Sequence, residues 1–130
     1  MNTPARRQPA GISKSDVARL LTLIASLDQR TIGTSDVEAW HLVATSGGWT
    51  LPYASRAVVE FQRDATDDRI RPGHITRAIR TRREAASASY QLREWPPDMT
   101  DTAEQARWQD QQRAAHITSV MDAWARGETP

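Results

Sequence analysis

Three histidines, two adjacent aspartates, a Ser-Gly-Gly turn, a run of arginines and a late set of tryptophans are the residues whose types could do chemistry. His41, His74 and His116 stand alone. None shows the His-x-x-x-His or His-Glu-x-x-His spacing that puts two imidazoles on one helical turn, so each reads as a surface or helix-end residue and no metal site is expected. Asp67-Asp68 are neighbours in a loop, where side chains point apart and stay solvated, which leaves no acid/base dyad. Ser46-Gly47-Gly48-Trp49 lacks the lysine and the helix register of a phosphate-binding loop. No serine has a nucleophile-elbow context. The expectation is a protein with no catalytic residues and no cofactor, hence not an enzyme.

Two binding features remain. The first is a basic face formed by Arg77, Arg80 and Arg83, with Arg69 and Arg71 nearby, which has the residue types for phosphate contacts on nucleic acid. Its plainer reading is a solvated helix face with an Arg80–Glu84 pair. The second is apolar. Trp95, Trp108 and Trp124, with Ile117 and Met121, load a segment that has little core of its own, and tryptophan is enriched at binding hot spots. The plainer reading is that Trp95 and Trp124 dock back on the preceding helices.

The elements that must position these residues are helical throughout. Ser13 is placed to cap a first helix over residues 14–27, with Asp16 three residues on as the capping-box acid and Ile12 and Val17 as the hydrophobic staple. Val17, Leu20, Leu21, Ile24 and Leu27 follow the three-and-four spacing of a buried stripe. A turn over 28–33 leads to a second helix capped by Thr34 or Ser35, with a Ser35–Glu38 box, a stripe of Val37, Trp40 and Ala44, and an end at Gly47-Gly48. Pro52 lies in the first turn of a third helix lined by Ala54, Ala57, Val58, Phe61 and Ala65. Pro72 opens a fourth, with Ile75, Ala78, Ile79 and Ala86 inward, and with Arg82 covering the core edge by its aliphatic stem.

Trp95-Pro96-Pro97-Asp98 stops the helical pattern, because consecutive prolines cannot continue a helix. A fifth helix follows over about residues 102–126, with Gly127 past its end. Its second half carries a stripe of Ile117, Val120, Met121 and Trp124; in its first half Asp110 and Arg113 occupy that stripe and Trp108 faces away. The expected fold class is all-α: a compact bundle of four helices, then a Pro-Pro linker and a C-terminal helix. The expected domains are a flexible leader (1–11), a helical domain (12–91), a linker (92–101) and a C-terminal helix and tail (102–130).

Bulk composition narrows the class further. The 130 residues suit one core of modest size, there is no cysteine for a disulfide scaffold or thiolate metal site, and no apolar run approaches a membrane span. A net charge of +1 argues against a nucleic-acid coat, so charge matters locally. Residues 76–94 carry a net +3 and residues 95–130 a net −3. A soluble protein of the cell interior is expected, with no membrane partner.

The run Asp16 to Ile24, then Val37-Glu38-Ala39-Trp40-His41, then Ala54 through Val58, then Arg71-Pro72-Gly73-His74-Ile75-Thr76-Arg77 resembles the small phage loader and inhibitor proteins of the replicative helicase. The resemblance covers roughly residues 12–83, and it implies an all-helical domain followed by a C-terminal segment that contributes to helicase binding. It also implies the partner: a hexameric DnaB-type replicative helicase of host or phage, restrained and delivered to an origin without ATP hydrolysis by this chain, in the cytoplasm of a bacterial host. Partner-binding residues would then be Trp95, Trp108, Ile117, Met121 and Trp124, with DNA or an origin-binding protein as further partners. The tail departs from the family pattern in reading as an ordered helix. The alternative is a DNA-binding replisome organiser or transcriptional regulator using Arg69, Arg71, Arg77, Arg80 and Arg83.

Overall fold

A computed structural model describes residues 11–64 and 69–128, and they are helical without strands: α1 (Lys14–Asp28), α2 (Thr34–Ser46), α3 (Leu51–Asp64), α4 (Pro72–Ala88) and α5 (Thr102–Ala125). A bundle followed by a C-terminal helix is the arrangement the sequence led us to expect. Contacts group the chain into two compact units, 1–79 and 80–130, so α4 begins in one and ends in the other. The expected linker, 92–101, lies inside the second unit. Ala65, Asp67 and Asp68 lie outside the described residues, as do residues 1–10 of the leader.

In the first unit α1 is central and packs on both α2 and α3. Its start is set locally. Ser13 Oγ accepts from the Asp16 N–H at 3.0 Å, and Ile12 and Val17 are both buried, as a capped and stapled helix start requires. Val17, Leu20, Leu21 and Ile24 are buried completely or nearly so. Leu27, expected to complete the stripe, is instead 45% exposed. At about 100° per residue it sits at the edge of the stripe, and the central position of the last turn falls to Asp28.

That aspartate anchors the end of α1. After Gln29, which takes the left-handed conformation (φ 65°), Arg30 turns back and pairs with the Asp28 carboxylate, donates to the Ile70 carbonyl at 2.8 Å, and places its guanidinium 5.7 Å from the Trp40 ring centre. One side chain thus ties α1, α2 and the segment before α4. The hydrogen bond from Arg30 holds the Asp28 carboxyl below the ordinary carboxylate range. A group whose pKa is lowered by folding stabilises the fold above its unfolded pKa of about 4, and that contribution is lost as pH falls through the folded value. Arg30→Ala is therefore expected to cost about 1.5 to 3 kcal/mol at pH 7, the range for hydrogen bonds to charged groups. In urea unfolding repeated at pH 3 the gap between wild type and variant should narrow; a gap independent of pH would remove Asp28 from the account.

The start of α2 differs from expectation. The cap is Gly33, not Thr34 or Ser35, and Asp36 rather than Glu38 supplies the returning carboxylate, accepting from the Gly33 N–H at 2.8 Å. An acid three residues past the cap satisfies that donor whatever side chain the cap carries, so glycine suffices. Trp40 and Ala44 are buried and Val37 is half-buried. His41 Nε2 donates to the Ile12 carbonyl at 3.0 Å, tying α2 to the residue ahead of α1.

The turn between α2 and α3 holds a core residue that helical spacing does not reveal. Trp49 is 1% exposed, meets Trp40 edge-on with ring centres 6.3 Å apart, and donates from Nε1 to Thr76 Oγ1 at 2.9 Å. Gly47 must stay small beside it, since a Cβ there would lie 2.8 Å from both Trp49 Nε1 and Thr76 Oγ1. Ala54, Ala57 and Val58 of α3 are buried, and Phe61 is half-buried against the His74 ring, stacked at 4.8 Å. At the start of α4, His74 Nδ1 accepts from the Arg71 N–H at 2.9 Å, an imidazole in the capping-box position usually held by Glu. Ile70, Ile75 and Ile79 complete this core, and Ala78 is half-buried.

Candidate functional site

In the second unit, α5 begins with Asp101 as its cap, accepting from the Glu104 N–H at 3.1 Å, and ends at Arg126, with Gly127 in a positive-φ conformation (φ 81°). The first half of α5 faces not a hydrophobic partner but the chain that precedes it. Gln109 is the key residue there. Its Oε1 accepts from the Tyr90 hydroxyl at 2.6 Å and from the Arg93 N–H at 3.4 Å, while its Nε2 donates to the Arg93 carbonyl. Gln105 Nε2 donates to the Met99 carbonyl at 2.8 Å, and Gln112 Oε1 accepts from Arg93 Nη1 at 3.2 Å. Three glutamines at helical spacing therefore strap residues 90–99 along α5. The missing apolar stripe of this half of the helix is explained: its partners are backbone groups and polar side chains, which amides can pair with.

The second half of α5 is apolar. Met121 and Trp124 are buried, Ile117 and Val120 half-buried, and Arg82 of α4 lies 5.5 Å from the Trp124 ring centre. Arg82 is exposed as a residue, and it is its guanidinium that lies beside the indole. Besides Arg82, what faces Met121 and Trp124 is Ala85 and Ala86 of α4 and Ser89 just past its end, side chains too small to fill the space, and a hollow of about 290 Å³ is left open to solvent. His116 closes its far end. The Ser89 hydroxyl lies 2.8 Å from the Ala86 carbonyl, to which it can donate, and also 2.8 Å from His116 Nε2.

Of the five residues expected to bind a partner, the structure brings Met121 and Trp124 together as the floor of this hollow. Trp95 lies apart, 44% exposed, and with Leu92, 76% exposed, lines a second hollow on the strapped segment. Trp108 and Ile117 are half-buried and line neither. On the basic side, Arg69, Arg71, Arg77 and Arg80 are each exposed and Arg83 is half-buried. No described cluster of His, Asp and Glu side chains is placed to hold a metal ion, and no described helix is long and apolar enough to cross a membrane.

Comparison with protein-family models, curated proteins and solved structures finds no match. The site must be read from its own residues. Leu92 and His116 were missed as site residues at the sequence level: Leu92 sits outside any helical period, and a lone histidine carries no spacing signal. The cue available was the unexplained polar stripe of Gln105, Gln109 and Gln112, which marks a face that expects backbone.

Proposed function

We propose that this protein is a non-catalytic adaptor that binds a hexameric DnaB-type replicative helicase in a bacterial host cell, restrains it and helps deliver it to a replication origin. The observation that carries the reading is apolar surface left open in the C-terminal unit: Leu92 and Trp95 on the strapped segment, and the hollow over Met121 and Trp124. Exposed side chains of this size in a segment held rigid by side-chain amides suit a partner surface better than a core. The resemblance of residues 12–83 to the helicase loader and inhibitor proteins is what suggests the partner, and it implies a C-terminal segment that contributes to helicase binding.

The test is co-elution with a purified DnaB-type hexamer on gel filtration, together with the helicase's unwinding rate. The wild-type chain is expected to co-elute and slow unwinding. The double variant Leu92→Ser, Trp95→Ala, whose sites are exposed and whose fold should be intact by ellipticity, is expected to weaken binding at least tenfold. If the wild-type chain passes the hexamer by and instead binds duplex DNA, with loss of that binding in Arg77→Ala, Arg80→Ala, the reading moves to DNA. The exposed guanidiniums of α4 favour that second reading.

A further inference from the structure

The hollow over Met121 and Trp124 lies wholly within the C-terminal unit, between α4 and α5. At about 30 Å³ each, about ten waters would fill its volume of about 290 Å³. A water needs two to four polar partners, and of the lining side chains only Ser89, His116 and Arg82 offer polar atoms. Most of that water is poorly held, so an apolar occupant displaces it favourably. Size and lining then define the occupant. An apolar cavity of about 150 Å³ takes one benzene ring, and a hollow about twice as large suits two fused rings. The Trp124 indole and the Met121 thioether favour an aromatic guest over an aliphatic one. Charge is disfavoured in either sign. The lining has no acid to receive a cation, and its one arginine, Arg82, is already placed 5.5 Å from the Trp124 ring centre, so a buried anion would lack a partner of its own.

The polar end supplies one directional contact. The Ser89 hydroxyl has one proton and two lone pairs, and its neighbours are the Ala86 carbonyl, which can only accept, and His116 Nε2. The carbonyl occupies no lone pair, and the ring nitrogen occupies at most one, whichever tautomer His116 holds. At least one lone pair of Ser89 therefore stays open to a donor. We infer that this hollow is a binding site for a small neutral molecule of two fused aromatic rings bearing one O–H or N–H group. The rings seat against Trp124 and Met121, and the donor meets Ser89 Oγ. The inference goes beyond the adaptor reading and stands without it, because it uses only residues of the C-terminal unit.

The experiment uses the full chain, isotopically labelled at its methionine methyl groups, and three compounds that share one ring system: naphthalene, 2-naphthol and 2-naphthoate. The Met121 methyl resonance is the readout, since an aromatic ring seated on it must shift it. Saturable shifts are expected, with 2-naphthol bound about fivefold more tightly than naphthalene, the worth of one hydrogen bond, and 2-naphthoate about tenfold more weakly than 2-naphthol. Ser89→Ala should bring 2-naphthol down to the affinity of naphthalene and leave naphthalene unchanged. Ala85→Phe, at an exposed position that lines the hollow, should fill it and abolish all three shifts with helical ellipticity unchanged. The inference is overturned by the absence of a saturable Met121 shift with any of the compounds, by shifts that survive Ala85→Phe, or by 2-naphthoate as the tightest binder. A preference for 2-naphthol that survives Ser89→Ala overturns it as well.

Discussion

Trp49→Ala is expected to lower the free energy of unfolding by about 3 to 5 kcal/mol, the range for deleting a fully buried large aromatic. Three losses coincide at this site. The indole is 1% exposed, so its whole apolar surface returns to a cavity; its edge-on contact with Trp40 goes; and Thr76 Oγ1 loses the N–H that it accepts. Because a domain's total stability is about 5 to 15 kcal/mol, a loss of this size takes a large share of it. Trp49→Phe separates the contributions, keeping a ring while forfeiting the hydrogen bond, and should cost much less than Ala. Urea unfolding followed by helical ellipticity reads both. Trp95→Ala, at an exposed position, should stay within about 0.5 kcal/mol. A Trp49→Ala cost as small as that would show that the turn between α2 and α3 is not part of the core.

Ile24→Ala and Leu21→Ala are each expected to cost about 2 to 5 kcal/mol, through lost burial plus the cavity left behind. Both side chains are essentially inaccessible, on the helix that packs against α2 and α3 together, so neighbours on two sides must relax to close the space. The control is Leu27→Ala. The same chemical change three residues further on should stay near the surface range of about 0.5 kcal/mol, since Leu27 is 45% exposed. Equal costs at positions 24 and 27 would mean that the buried face of α1 has been wrongly assigned.

Much of the first unit was legible because its information is periodic. The cap at Ser13, the stripe of Val17, Leu20, Leu21 and Ile24, the stop at Gly47-Gly48 and the opening at Pro72 all follow from rules acting over three or four residues. What escaped lies between helices. Trp49 and Ile70 are core residues in non-helical segments, where no period marks the inward direction. The cap at Gly33 escaped because an acid can satisfy a helix start from inside, so the strongest capping residue in view need not be used. In the second unit the apolar stripe of Met121 and Trp124 was readable, but its partner was not: Ala85, Ala86 and Ser89 announce themselves only as small residues on a helix and just past its end. The strap was hidden by its sequence separation. Gln109 reaches back sixteen residues to Arg93, and no local pattern encodes such a pairing.

The glutamine strap has a consequence for ionic strength. The contacts of Gln105 and Gln109 join neutral amides to a hydroxyl and to backbone groups, so salt, which shrinks the reach of charge to about 3 Å at 1 M, leaves them in place. Only the Gln112 contact, made to the Arg93 guanidinium, carries charge. Added electrolyte therefore acts on one hold of the strap and spares the others.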